Sequence, residues 1–211
     1  EIVTSGITLE YALPTNTRSS DKTNFWKYLP GLLGVTLPPD TGLTGNGLSG
    51  TMTRATGLNY YTATGIPITP IEDNGRENPY PLATITAKRN GVVMGTTQVV
   101  VPVSWEISCN ICHNAPGIST ATDILRAHDR MHSTNLENSK PVLCAGCHAD
   151  VALGAPGVPG VSTFSSAMHS AHATRMKQAG LANECYACHP GVRTLCQRDV
   201  HMSRGMTCND C

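Results

Sequence analysis

Five residues, Cys109-Asn110-Ile111-Cys112-His113, recur in the same register as Cys144-Ala145-Gly146-Cys147-His148 and Cys185-Tyr186-Ala187-Cys188-His189. A further Cys208-Asn209-Asp210-Cys211 stops where the next His would stand. Cys-x-x-Cys-His is the attachment sequence of c-type haem. Two thiols one turn apart add to the two porphyrin vinyl groups as thioethers, and the imidazole that follows becomes the proximal ligand of the iron. Four haems c are therefore expected, at Cys109/Cys112, Cys144/Cys147, Cys185/Cys188 and Cys208/Cys211, with His113, His148 and His189 as proximal ligands in the three complete motifs.

Other cysteine chemistries fit less well. The 19 residues between Cys188 and Cys208 match a zinc-ribbon spacing, but zinc requires no His after the second Cys of every pair. Nine Cys is an odd number for a disulfide framework, and adjacent Cys-x-x-Cys pairs are poor staples. A thioredoxin-like redox pair needs an alternation of strand and helix that is not visible here.

The cysteines and histidines divide the chain of 211 residues. Residues 1–108 contain no Cys and no His; the remainder contains all nine Cys and all eight His. We read a haem-free β-rich domain over 1–104 and a multihaem domain over 105–211. In the first, Ile7–Leu13, Leu82–Lys88 and Val92–Val103 carry strand patterns, and Asn90-Gly91 between the last two is a hairpin signal. Prolines punctuate the rest, which predicts an antiparallel sandwich or barrel-like region with long loops. Gly45-Asn46-Gly47-Leu48-Ser49-Gly50 matches a dinucleotide-binding pattern, but no strand signal precedes it and no helix signal follows, so it reads as a glycine-rich loop. The second domain is expected to be loop-rich, with short helices and little regular sheet. Ser119 or Thr120 can cap one helix and Ser162 or Thr163 another, which Gly180 would end.

Five His remain after the motifs: His128, His132, His169, His172 and His201. The first four form two pairs at helical spacing, each pair on one helix face. They are the expected distal ligands, with His201 a fifth. Met131, Met168 and Met202 adjoin these His. Adjacent helical residues diverge by about 100°, so the Met are read as haem-packing side chains rather than rival ligands. Cys196 belongs to no motif and is read as buried or paired. A His is expected to follow Cys211 in a longer sequence.

Aromatic residues make up only 5% of the chain, thin for a conventional core; haem would supply the missing apolar bulk. Net charge is zero, which points to neither nucleic acid nor an anionic membrane as partner. No apolar run reaches the roughly 20 residues of a membrane span. The chain opens at Glu1-Ile2-Val3 without Met, as expected after removal of a secretory signal. Covalent haem is assembled outside the cytoplasm, so a periplasmic, cell-surface or extracellular location is expected.

From Val101-Pro102-Val103-Ser104-Trp105-Glu106-Ile107-Ser108-Cys109 onward the chain resembles the extracytoplasmic multihaem c-type cytochromes of metal-reducing bacteria. The resemblance is carried by Cys185-Tyr186-Ala187-Cys188-His189-Pro190-Gly191 and by Arg198-Asp199-Val200-His201-Met202 leading into Gly205-Met206-Thr207-Cys208. In its plan, a haem-free region before four closely spaced haems, it is also similar to tetrahaem subunits of extracellular cytochrome filaments. These likenesses imply electron transfer between redox proteins or to extracellular acceptors.

The spacing leads the same way. So few residues around three or four haems cannot insulate them from one another, and bis-His ligation leaves no iron open to substrate. The expected function is electron transfer, with no catalytic residue. Self-assembly into a filament is a further expectation, in which His201 or His128 would ligate a haem of a neighbouring chain. The alternatives are a multihaem redox enzyme with an open haem site, a monomeric shuttle, or a segment of a longer cytochrome.

Overall fold

The structure, a computed structural model, describes residues 6–181, 184–191 and 204–206. The chain divides into two compact units, Glu1–Trp105 and Glu106–Cys211. No helix among the described residues is long and apolar enough to cross a membrane.

The first unit is built on strands β1 (Ile7–Ala12), β2 (Ser49–Thr51), β3 (Thr53–Arg54), β4 (Tyr61–Thr62), β5 (Leu82–Arg89) and β6 (Val92–Val100). Four of them form an antiparallel sheet in the order β2-β1-β5-β6, and β3 and β4 pair separately. The sheet is open at both edges, not closed into a barrel, and its described companion is only the two-stranded pair. Asn90 and Gly91 make the β5–β6 turn with φ of 51° and 81°, the positive values a two-residue hairpin demands. A bulge at Ala87/Lys88 then shifts the pairing. Leu13, Leu48 and Ala83 form the buried core, with Ile66, Ile68, Ile85 and Val101 packed against it; burying a Leu of this kind contributes about 2 kcal/mol. Leu48 lies within the glycine-rich stretch, which leads into strand β2 and not into a helix.

Helix α1 (Phe25–Leu33) was not visible in the sequence pattern, because Pro30 and Gly31 interrupt it. Packing overrides that weak propensity. Leu29 is buried, Trp26 Nε1 donates to the Thr41 carbonyl at 3.0 Å, and Gly34 closes the helix at φ 69° with its N–H on the Pro30 carbonyl. The loop before α1 is tied by two carboxylates. Asp73 accepts from Lys22 Nζ at 2.7 Å and from the Thr17 amide and hydroxyl at 2.9 and 2.8 Å. Asp40 accepts from the Ser19 and Ser20 amides at 2.6 and 2.7 Å.

The second unit contains two α-helices, α2 (Thr120–His132) and α3 (Phe164–Gln178), with short 3-10 turns elsewhere. Ser119 caps α2 by accepting from the Thr122 amide, and Thr163 caps α3 by accepting from the Ser166 amide. Gly180, at φ 66°, follows the end of α3. Neither helix contains a buried residue. The buried apolar side chains described in this unit are Ala145, Tyr186 and Ala187.

Candidate metal-ligand site

Each complete motif folds into the same local shape. Cys109–Ile111, Cys144–Gly146 and Glu184–Ala187 are 3-10 turns. In each, the amide of the motif His returns to the carbonyl of its first Cys: His113 to Cys109 at 2.9 Å, His148 to Cys144 at 2.9 Å and His189 to Cys185 at 2.8 Å. One tight turn therefore holds two thiols and an imidazole together. None of the six cysteines of these motifs is in a disulfide, and none is fully buried. Burial raises the pKa of Cys144, with a smaller contribution from Cys147.

Three of the five spare histidines stand opposite the three motif histidines, one to one. His172 of α3 faces His113, with ring centroids 6.3 Å apart; His128 of α2 faces His148 at 6.3 Å; His169 of α3 faces His189 at 6.1 Å. Imidazole nitrogens bond such metals at about 2.0–2.1 Å, and each centroid lies about 1.1 Å behind its nitrogen, so two trans imidazoles on one ion stand about 6.3 Å apart. The three centroid separations lie at or just under that spacing.

Hydrogen bonds set the tautomers of the helix histidines. His169 Nδ1 lies 2.8 Å from the Ser165 carbonyl and His172 Nδ1 2.8 Å from the Met168 carbonyl. A carbonyl only accepts, so each Nδ1 carries the proton and leaves Nε2 with its lone pair. His148 Nδ1 is held in the same way, 2.8 Å from the Ser162 carbonyl. His128 is fixed at one remove. Thr134 Oγ1 donates to Asp129 at 2.6 Å, so it can only accept from His128 Nδ1, 2.9 Å away. Asp129 also takes the Leu136 and Glu137 amides at 2.8 and 2.9 Å, and Arg126 clamps Glu137 with bonds of 3.0 and 2.6 Å. Burial, and then the neighbouring His132 and His148, lower the pKa of His128 and favour its neutral form.

Motifs one and three lie side by side. The Ser108 amide donates to the Ala187 carbonyl at 2.9 Å, and the Gly191 amide to buried Glu106 at 3.3 Å. Burial pushes the Cys188 thiol up, and nearby Cys109, Cys112 and Cys185 add to the effect. The same pair of motifs is served by one helix, since His169 and His172 both stand on α3. A Cβ at Gly191 would run into the Tyr186 ring, so this join needs Gly. Motif two stands instead with α2. Gly157, at φ 63°, lets the loop after it close on Cys147 and Ala149, whose backbone any Cβ there would strike.

His132 pairs differently. Its ring lies 4.7 Å from that of His128, too close for the two to bind one ion from opposite sides. Among the described residues it faces no motif His. Cys196, His201, Met202, Cys208 and Cys211 lie outside the described residues. Which spare His meets which motif, and the supporting Thr134 and Asp129, were not legible in the spacing. The only signal was that His128 precedes an Asp and, six residues on, a Thr. No group of three or more His, Cys, Asp or Glu gathers as a metal cluster among the described residues; paired imidazoles are a two-sided arrangement of another kind.

The residues fit a c-type haem. Each site has two accessible thiols, an adjacent imidazole and a second imidazole one metal-width away. The helices that carry the second imidazoles bury no side chain of their own, leaving their surfaces to a large apolar group. No known protein family, curated protein or solved structure matches the chain.

Proposed function

We propose that this protein is an electron-transfer protein that holds c-type haems between paired histidines. The observation that carries the reading is the set of three His–His gaps of 6.1–6.3 Å, each joining a motif imidazole to one from α2 or α3. Haem, when bound, supplies a one-electron iron couple. The chain's residues would do the rest: the Cys pairs would tether the group, the motif His and the His opposite it would hold the iron, and the Nδ1 bonds keep the rings in place. An iron held by two imidazoles would leave no site for a substrate, so the reading is a carrier, not an enzyme. Its partners would be other redox proteins or extracellular acceptors, outside the cytoplasm.

Removal of a single helix His tests this. H172A should convert the haem at Cys109/Cys112 alone to high spin, H128A that at Cys144/Cys147 and H169A that at Cys185/Cys188. Sulfur-to-iron charge transfer in the oxidised wild-type spectrum would instead mark Met ligation and contradict the assignment.

Filament assembly belongs to the same proposal. His128 faces His148 of its own chain, so of the two donors considered for a neighbouring chain His201 remains, and His132 takes the place of His128. Electron microscopy of the native protein separates a filament from discrete particles.

A further inference from the structure

Helix α2 ends in a way that joins one candidate ligand to a carboxylate. Ser133 caps the helix at φ 54°, a left-handed value uncommon for residues other than Gly. The chain turns back there, and Thr134 comes to lie beside His128, the residue that faces His148. Asp129 follows His128 in sequence. Adjacent helical residues diverge by about 100°, and the hydrogen-bonded link between these two runs through Thr134. His128 Nδ1–H donates to Thr134 Oγ1 at 2.9 Å, and Thr134 Oγ1–H donates to Asp129 at 2.6 Å.

The ligands on α3 are held differently. His169 and His172 reach the carbonyls of Ser165 and Met168, four residues back on their own helix. Such carbonyls are neutral and already take the backbone amide of the same residue. Among the described residues, His128 is the one candidate ligand whose Nδ1 chain ends on a carboxylate. The Leu136 and Glu137 amides also donate to Asp129, at 2.8 and 2.9 Å. Donors gathered on one carboxyl favour its charged form.

We propose that Thr134 and Asp129 are positioning residues that set the reduction potential of the haem at Cys144/Cys147, holding it lower than two imidazoles alone would. The inference rests on the haem reading. A strong acceptor at Nδ1 draws that proton outward and makes Nε2 the better donor. Hydrogen bonds in series polarise one another, which strengthens the effect. A better donor to iron, with an anion nearby, favours ferric over ferrous. Paired imidazoles are common to the three sites, so axial identity does not separate them; this relay does.

The test is a redox titration of the full chain with its haems, following each low-spin signal. The haem at Cys144/Cys147 is identified by the loss of its signal in H128A. T134V keeps the shape of Thr134 and removes the hydroxyl. It should move the low-spin fraction of that haem about tenfold toward ferrous, the lower end of what losing such an outer partner costs, or about 60 mV upward. T134S, which keeps the hydroxyl, should titrate as wild type. D129N keeps the hydroxyl and removes the charge. It should raise the same potential, and it decides the matter if T134V weakens the site too far to titrate. The other two haems should stay in place. The proposal would be overturned, with the haem reading intact, by an unchanged or lowered potential in both T134V and D129N. An equal rise at all three haems would do the same, as would a T134S shift as large as that of T134V. Peptide mapping of the wild type keeps the two claims apart: Cys144/Cys147 peptides without haem would remove the reading itself, and the proposal with it.

Discussion

In the second unit, hydrogen bonds fix which nitrogen of each of four imidazoles is protonated. Ser162, Ser165 and Met168 present carbonyls to Nδ1, and Thr134 does the same work with a hydroxyl whose own proton is committed to Asp129. Such outer partners orient a ligating His. T134V should therefore loosen ligation at Cys144/Cys147 alone, and a fractional high-spin signal from that one haem, with the other two unchanged, is the expected spectrum. In the first unit, Asp73 is the residue to watch. Burial pushes its pKa up, but the bonds from Lys22 and Thr17 outweigh this and hold it at about 2, below its ordinary 3.8. A depressed carboxylate stabilises the folded state above the unfolded pKa and loses that contribution as pH falls through the folded one. D73N should cost about 1–3 kcal/mol near neutral pH. The gap between wild type and variant should close as pH falls from about 4 to about 2, read from denaturant unfolding of the first unit. A gap that stays constant would show that Asp73 acts by packing alone.

At the scale of elements, some features were written in the sequence and others depended on packing. The β5–β6 hairpin followed from Asn90-Gly91 between two β-rich runs, and the helix caps were narrowed to Ser119 or Thr120 and to Ser162 or Thr163, of which Ser119 and Thr163 cap. The Cys-x-x-Cys-His repeats showed which thiols and imidazole lie together in sequence, but not the 3-10 turns they adopt. Helix α1 did not, because Pro30 and Gly31 lower its intrinsic propensity and only tertiary contacts at Trp26 and Leu29 sustain it. The expected sandwich or barrel did not emerge from alternation alone, since period two marks a strand and says nothing of what lies across from it. The pairing of His128 with His148, and of His169 and His172 with motifs three and one, required the path of the chain between them. Spacing showed which His share a helix but not what each helix faces. Gly157 was equally silent, although the loop beside motif two depends on it. G157A should destabilise by about 1–3 kcal/mol, through a positive φ and a Cβ against backbone. It should also lower haem content at Cys144/Cys147 relative to the other two sites, as peptide mapping would measure.

Across the whole molecule the two units obey different physics. The first has a small apolar core and a sheet; the second, among its described residues, has helices that bury nothing and a handful of buried side chains within and beside the motifs. Under the proposed function, bound haem would be the internal partner of that unit. The claim that the partner is covalently bound haem is tested most directly by intact mass after denaturation, followed by peptide mapping, because thioether-linked haem survives unfolding and can be counted. The account predicts haem on the peptides containing Cys109/Cys112, Cys144/Cys147 and Cys185/Cys188, with a further one at Cys208/Cys211. Cysteines at the first three pairs that alkylate as free thiols, or that hold zinc and no haem, would contradict it.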